Sequence, residues 1–579
     1  MSLPTLSVSD ILKDGDYNSY PLHFCIAVGN LGTLQFLLNK ASLDTIDESD
    51  DKWGAPLHIA VYLGNEEAID MLLKAGADPV RRPKFVFEGY NATPIGVAAR
   101  LGNMALLLKL WQHVGFGTSE LGSCLVEAAV YGQPSTIGAL LDLGRENWPT
   151  ESKGRALNRA AENWKAGNIQ VLVSRWVFDK GMLDSALAQV PPKVWLIKDQ
   201  TESDLSAQSQ SIKLLMTAGA DPSIILHYSS QPLLAHTAIH RQLHGCLEAL
   251  LNNGADPNAS VNTQGQTASH YLAFKGRGPT KDCRNGVLSP PGEPSEATFR
   301  MFFRFQASIL RQDVFGNTPL HFAASTSDLE TLQLMLSSLP TESERKASLM
   351  LRNHQGESLL HFASSGAQID VVEYLLSDEV GLPVDEATSR GWTPFLSALA
   401  PVSTNARSGK IKTAQLLLDH GADPAVVTHD GWTALHCLAM NYDAHETGEL
   451  ADFVDTLMSG GMPVDSRARF AFDDHDIPFK HDARQGIPYG CSELRYLEDP
   501  KLWGRAVRSG FTPLHVAARS EAISAARAFL KHGADPTTEN SEGKSPARLA
   551  GDSKCYRFVY PEDTQDMMIS LLLEAGGSY

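Results

Sequence analysis

Six histidines recur in one local setting. His23 and His58 close Pro-Leu-His, His321 and His515 close Thr-Pro-Leu-His, His436 closes Thr-Ala-Leu-His and His361 closes Leu-Leu-His. Imidazole can ligate a metal or act as a general base near neutral pH. Each of these side chains holds the same place in a repeated unit, so they lie about one repeat apart and do not converge on one ion. The densest chemically able set is Asp473, Asp474, His475, Asp476, His481 and Asp482, inside Phe470–Trp503. It holds enough oxygen and nitrogen for a divalent ion. Its spacing lacks the alternating ligands, central glycine and terminal glutamate of a calcium loop. The expectation is a charged, solvated insertion, with a partner-binding loop or a metal site as alternatives.

A third set is aromatic. Trp392, Trp432 and Phe511 each follow a glycine and precede a threonine. Successive helices pack ~8–10 Å apart, so the three rings are expected to form a ladder. As an exposed row they would make a binding surface; the alternative is that each packs over the next turn and is partly buried. In either case Trp392, Trp432 and Phe511 are the expected partner-binding residues. The sequence contains no phosphate-binding GxxxxGK[ST], no GxSxG elbow and no HExxH. No catalytic residue, cofactor or metal site is therefore expected, and the chain reads as a non-enzyme. Arg81-Arg82-Pro83-Lys84 reads as a solvated turn.

The elements that carry these residues are clearest in Gly510–Pro536, GFTPLHVAARSEAISAARAFLKHGADP. Thr512 can cap a helix whose first residue is Pro513, where a missing N–H costs nothing. Leu514, Val516, Ala517 and Ala518 give an apolar stripe of small residues. A second helix carries Ala525, Ala526, Phe529 and Leu530. Gly533 stands where a helix ends in a left-handed residue, and Asp535-Pro536 turns the chain away.

The closing Gly-Ala-Asp-Pro recurs at Gly76, Gly219, Gly254, Gly421 and Gly533. A helix-pair period of ~33 residues with T-P-L-H-x-A marks the ankyrin repeat, and the sequence resembles that family. The resemblance implies an all-α solenoid of about 14 stacked helix-turn-helix units, several degenerate, with projecting turns or short hairpins. It also implies that the recurrent histidine ties adjacent turns by hydrogen bonds. Specificity would reside in the turn tips and the exposed side of each first helix.

In order along the chain, the expected organisation is a leader at 1–16, a repeat block at 17–275 degenerate around 177–231, a Pro/Gly-rich insertion at 276–294, and a second block at 295–579 with a long insertion at about 469–505. A plausible second helix resumes directly after 276–294, which favours a loop leaving an unbroken stack over a hinge.

The net charge is −18, the wrong sign for a general binder of nucleic acid or anionic membrane. Seven cysteines, an odd number with no CxxC pair, fit a reducing compartment. Cys25, Cys124, Cys246 and Cys437 fall in expected helices as small apolar side chains. The first residues lack a secretory pattern, and no apolar run reaches the ~18–20 residues of a membrane span. The expected function is a non-catalytic intracellular protein–protein interaction scaffold that uses the concave face of the array, cytoplasmic rather than nuclear, with unidentified protein partners. The alternatives are a regulatory adaptor, such as a ubiquitin-ligase substrate receptor, or an accessory protein with a site in 470–503.

Overall fold

Helices begin where the sequence offers a cap. In the computed structural model, Thr512 N–H donates to His515 Nδ1 at 3.2 Å and Thr512 Oγ1 accepts from His515 N–H at 3.4 Å. This is a reciprocal capping box with histidine in the place usually held by glutamate. Pro513 fills the first helical position. Thr318 and Ser358 open the helices Pro319–Thr326 and Leu359–Ser365 in the same way. Second helices end on a glycine with positive φ, including Gly76, Gly219, Gly254, Gly421, Gly461 and Gly533, as a left-handed C-terminal residue requires.

The structure describes residues 20–49, 53–83, 92–114, 118–144, 148–192, 201–226, 232–239, 243–260, 262, 264–273, 296–400, 407–439, 449–470, 508–552 and 564–578. They contain thirty helices, of which fourteen successive pairs make the repeats. The two others, Leu43–Ile46 and Glu342–Leu349, lie in connections. The expected leader at 1–16, the insertion at 276–294 and most of the insertion at 469–505 lie outside the described residues.

The chain forms two compact units, residues 1–237 with 242–255, and residues 238–241 with 256–579. In the first, the first helices Pro21–Ala27, Pro56–Leu63, Pro94–Leu101, Thr118–Tyr131, Thr150–Glu162 and Lys180–Gln189 pack in sequence order. In the second, the order is Ala268–Ala273, Pro319–Thr326, Leu359–Ser365, Pro394–Leu399, Ala434–Ala439, Pro513–Arg519 and Pro546–Asp552. Their partners stack alongside, so Glu296–Arg304 packs on Leu329–Leu336. The helices on either side of 276–294 thus belong to one stack.

Small residues let these backbones approach closely: Ala323, Ala363, Ala398, Ala439 and Ala517 are fully buried. The stacking has a consequence for function. Every residue of Leu359–Ser365, Pro394–Leu399 and Ala434–Ala439 is buried. The expectation that each first helix exposes one side for recognition fails for these helices. They are six or seven residues long and are packed on both sides by their neighbours.

Among the described residues the strands are Ala468–Phe470 and Arg508–Phe511. They pair antiparallel, with Ala468 opposite Phe511 and Phe470 opposite Arg508.

Candidate functional site

The recurrent histidines form a relay. Nδ1 accepts the N–H of the capping residue: Ala55 to His58 at 3.0 Å, Thr318 to His321 at 3.1 Å, Ser358 to His361 at 3.1 Å and Thr433 to His436 at 3.2 Å. The proton therefore sits on Nε2, a tautomer assigned from these partners. Nε2 donates to a carbonyl at the start of the next repeat: His23 to Gly54 at 2.7 Å, His58 to Ala92 at 3.1 Å, His361 to Trp392 at 3.1 Å, His436 to Phe511 at 3.1 Å and His515 to Lys544 at 3.1 Å. Burial pushes His58, His361, His436 and His515 down to about 4 and His321 to about 3, against backbone partners that pull upward. His58, His361, His436 and His515 are neutral bridging groups, as the family resemblance implies, while His321 is neutral and its Nε2 makes no such bond.

A seventh member, His270, has no Pro-Leu before it. Thr267 N–H donates to its Nδ1 at 2.9 Å, and Nε2 donates to the Asn317 carbonyl at 3.2 Å. The signal in the sequence was Thr three residues ahead of His. The relay also has a gap. In Thr393-Pro-Phe-Leu396 the histidine position holds the buried Leu396. The Trp392 and Trp432 rings approach to 5.9 Å between centroids, joining the same two repeats.

The turns that precede each first helix stack into a second ladder. Val314 N–H donates to the Gln264 carbonyl at 2.8 Å, His354 to Phe315 at 2.9 Å, Ser389 to Gln355 at 2.9 Å, His429 to Arg390 at 2.9 Å and Arg469 to Asp430 at 2.8 Å. Glycine is needed at two of these turns for two reasons. Gly316 and Gly431 have φ of 80° and 85°. A Cβ on Gly316 would lie 2.8 Å from the His354 nitrogen, and one on Gly431 would lie 2.4 Å from the Arg467 carbonyl oxygen.

A third tie was not foreseen. An aspartate in one repeat accepts the N–H of the aspartate in the next Gly-Ala-Asp-Pro: Asp47 from Asp78 at 3.1 Å, Asp385 from Asp423 at 3.1 Å and Asp465 from Asp535 at 3.2 Å. The degenerate repeats use other side chains. Arg100, almost wholly buried, bridges to Glu127 at 2.6 Å. Asn168 Nδ2 donates to the Ala129 and Gly132 carbonyls at 3.2 and 3.1 Å.

The three expected partner-binding residues stand at the joint between turn and helix, and their rings are buried. Trp392 is 4% exposed, Trp432 6% and Phe511 0%. Of the two expected placements, an exposed row or rings packed over the next turn, the rings take the buried one. The Trp392 ring packs against that of Trp432, Phe511 packs against His515, and Trp432 Nε1 donates to the Arg469 carbonyl at 3.2 Å. Their carbonyls serve the ladders: Trp392 and Phe511 accept from His361 and His436. What faces outward is the turn above. Leu310, Val314, Met350 and Val427 are exposed, and in the second unit they are four of the six exposed large apolar residues among those described, which singles out this row of turns. Arg311, His354, His429, Arg467 and Arg469 are exposed beside them.

Among the described residues no group of three or more His, Cys, Asp or Glu side chains could hold a metal ion. Asp473–Asp482 lie outside those residues. Cys25, Cys124, Cys246 and Cys437 are buried, and burial pushes the Cys124 and Cys246 thiols up to about 12. No described helix is long and apolar enough to cross a membrane.

The comparisons with known proteins agree with this geometry. Models of ankyrin repeats in three copies match residues 6–83 and 295–386, a many-copy ankyrin model matches 405–445, and a single ankyrin repeat matches 509–541. The chain is also similar to the transient receptor potential cation channel subfamily A member 1 of Homo sapiens, with 25% identity over 502 residues. That alignment covers 73% of this chain and spans 41% of the relative's length. With fourteen helix pairs among the described residues, the capping-box histidines and these family matches in agreement, the chain is an ankyrin-repeat protein, built of protein-interaction repeats.

Proposed function

We propose that this chain is a non-catalytic intracellular scaffold that holds a protein partner on the turn row of its second unit, from Leu310 to Arg469. The observation that carries the reading is the exposure of apolar side chains on the turns of Val314, Met350 and Val427, next to the first helices Leu359–Ser365, Pro394–Leu399 and Ala434–Ala439, which are buried throughout. Backbone ladders hold the turns in place before a partner arrives, so little ordering entropy is lost on binding. Trp392, Trp432 and Phe511 serve the surface from beneath: they fix the turns, and the residues above them make the contacts.

By its name the matched relative is a cation channel. No channel activity is proposed for this chain.

A photo-crosslinking amino acid placed at position 314 or 354 tests the reading, against a control at Glu373, exposed on the helix Ile369–Leu376. Cross-linking in cells is expected to join a discrete partner to positions 314 and 354 and to spare 373. Equal labelling from all three positions, or none from the turns, overturns the proposal.

A further inference from the structure

The charged groups on the turn row are unevenly used. Its acidic side chains are committed internally. Asp313 accepts the N–H groups of Phe315 and Asn317, both at 2.9 Å. Glu357 is buried and accepts from Asn353 Nδ2 at 2.5 Å. Asp385 and Asp465 accept from the next repeat. Glu386 pairs with Arg352, and Asp430 with Arg390 at 3.3 Å. The cations differ. Arg311, Arg467 and Arg469 are exposed and make no ion pair within 4.0 Å among the described residues. A chain of net charge −18 thus presents outward-facing arginines at the two ends of a row of exposed apolar side chains.

We infer that the partner segment held by this row is an extended acidic peptide, an inference that rests on the turn row being the partner surface. Adjacent turns follow the stacking of helices at ~8–10 Å, so the path from the turn of Val314 to that of Arg469 is about 35–40 Å. An extended chain rises ~3.3 Å per residue, so about 12 residues span the row and roughly every third one meets a new turn. Carboxylates at that interval face Arg311 at one end and Arg467 and Arg469 at the other. Apolar residues between them cover Val314, Met350 and Val427. An acidic body around a cationic row rejects acidic chains elsewhere and orients them here.

The full chain is titrated by fluorescence anisotropy with a labelled 12-residue peptide repeating Glu-Leu-Thr. The comparison probes are the same peptide with Gln for Glu, an oligothymidylate of equal charge, and phosphatidylserine-containing vesicles. The Glu peptide is expected to bind about tenfold or more tighter than the Gln peptide, and to weaken as salt rises from ~50 to ~300 mM. The triple variant R311E/R467E/R469E, with circular dichroism unchanged, is expected to lose about tenfold of that affinity. Equal affinity for the two peptides, no loss in the triple variant, or binding of the oligonucleotide or vesicles as tight as that of the Glu peptide overturns the inference. If cross-linking from 314 and 354 still finds a partner in that event, only the acidic assignment falls; if it does not, the surface falls with it.

Discussion

His436 Nε2 donates to the Phe511 carbonyl at 3.1 Å although 75 residues separate the two. Asp465 accepts the Asp535 N–H at 3.2 Å, and Asp455 pairs with Lys531 and His532 at 2.6 Å across the same gap. The repeat that begins at Gly510 therefore stacks directly on the repeat that ends at Gly461. The pairing sets Phe470 and Arg508, the described residues that flank 471–507, side by side. Replacing 471–507 with Asn-Gly, a two-residue hairpin turn, is expected to leave the stack intact. The far-ultraviolet spectrum per residue of helix should match the parent, and the denaturant midpoint should shift by no more than the ~0.5 kcal/mol of a neutral surface change. Loss of cooperative unfolding in the last two repeats would show that 471–507 is part of the core.

The histidine relay makes the fold acid-sensitive in a stated direction. Burial lowers His58, His270, His361, His436 and His515 from 6.5 to about 4. In the unfolded chain the same imidazoles titrate near 6.5, so between pH 6.5 and about 4 the unfolded state binds more protons. Their contribution is complete above pH 6.5 and declines as the pH falls towards 4, by up to ~1.4 kcal/mol per pH unit for each histidine. Urea midpoints measured from pH 7.5 to 4.5 should fall on the acid side. His436→Gln should lower stability at pH 7.5 and flatten the acid slope. A slope unchanged by that substitution would remove His436 from the titrating set.

Much of this was legible in the sequence, and the parts that were not share a cause. The helix pairs followed from local rules: a Thr cap, proline at the first helical position, and glycine where φ is positive, as at Thr512, Pro513 and Gly533. The tie from Asp385 to Asp423 and the bridge from Arg100 to Glu127 connect different repeats, and no local rule marks their partners. The aromatic positions 392, 432 and 511 were found by alignment alone. Whether a ring at such a joint faces out or lies beneath the next turn depends on how closely that turn approaches, which the Gly-aromatic-Thr spacing does not contain. The surface proposed for a partner lies one layer out for that reason, on the turns above the rings.

Adjacent residues in one connection should respond to substitution with opposite signs. A Cβ on Gly366 would lie 1.9 Å from the Ser325 carbonyl oxygen, a contact with backbone that cannot rotate away. Gly366→Ala is expected to cost ~2–3 kcal/mol, as overpacking does. Ala367 beside it has φ of 52°, a left-handed conformation that strains any residue with a Cβ. Ala367→Gly is expected to stabilise by ~0.5–1 kcal/mol, the relief of strain exceeding the added entropy of the unfolded chain. Thermal denaturation of the two variants decides the matter, and two shifts of the same sign would contradict the argument.

Leu396 occupies the one relay position in the second unit, from His270 to His515, that lacks a histidine. It leaves the Thr393 N–H without the imidazole acceptor that Thr433 and Thr512 possess. The Trp432 carbonyl likewise accepts from Thr428 at 2.9 Å but receives no imidazole, unlike the Trp392 carbonyl. Leu396→His offers both groups a partner in a side chain of similar size. The gain from two buried hydrogen bonds, ~1 kcal/mol each, is opposed by the loss of an apolar side chain at a fully buried site, ~1.5–3 kcal/mol. The balance is expected near zero at pH 7.5, where the imidazole is neutral. The distinguishing readout is pH: an imidazole that joins the relay must be neutral when folded, so the variant should lose stability faster than the parent as the pH falls below 6.5. Parallel pH profiles for variant and parent would mean that the introduced imidazole titrates normally, and that the Trp392–Trp432 contact has closed this joint to a relay.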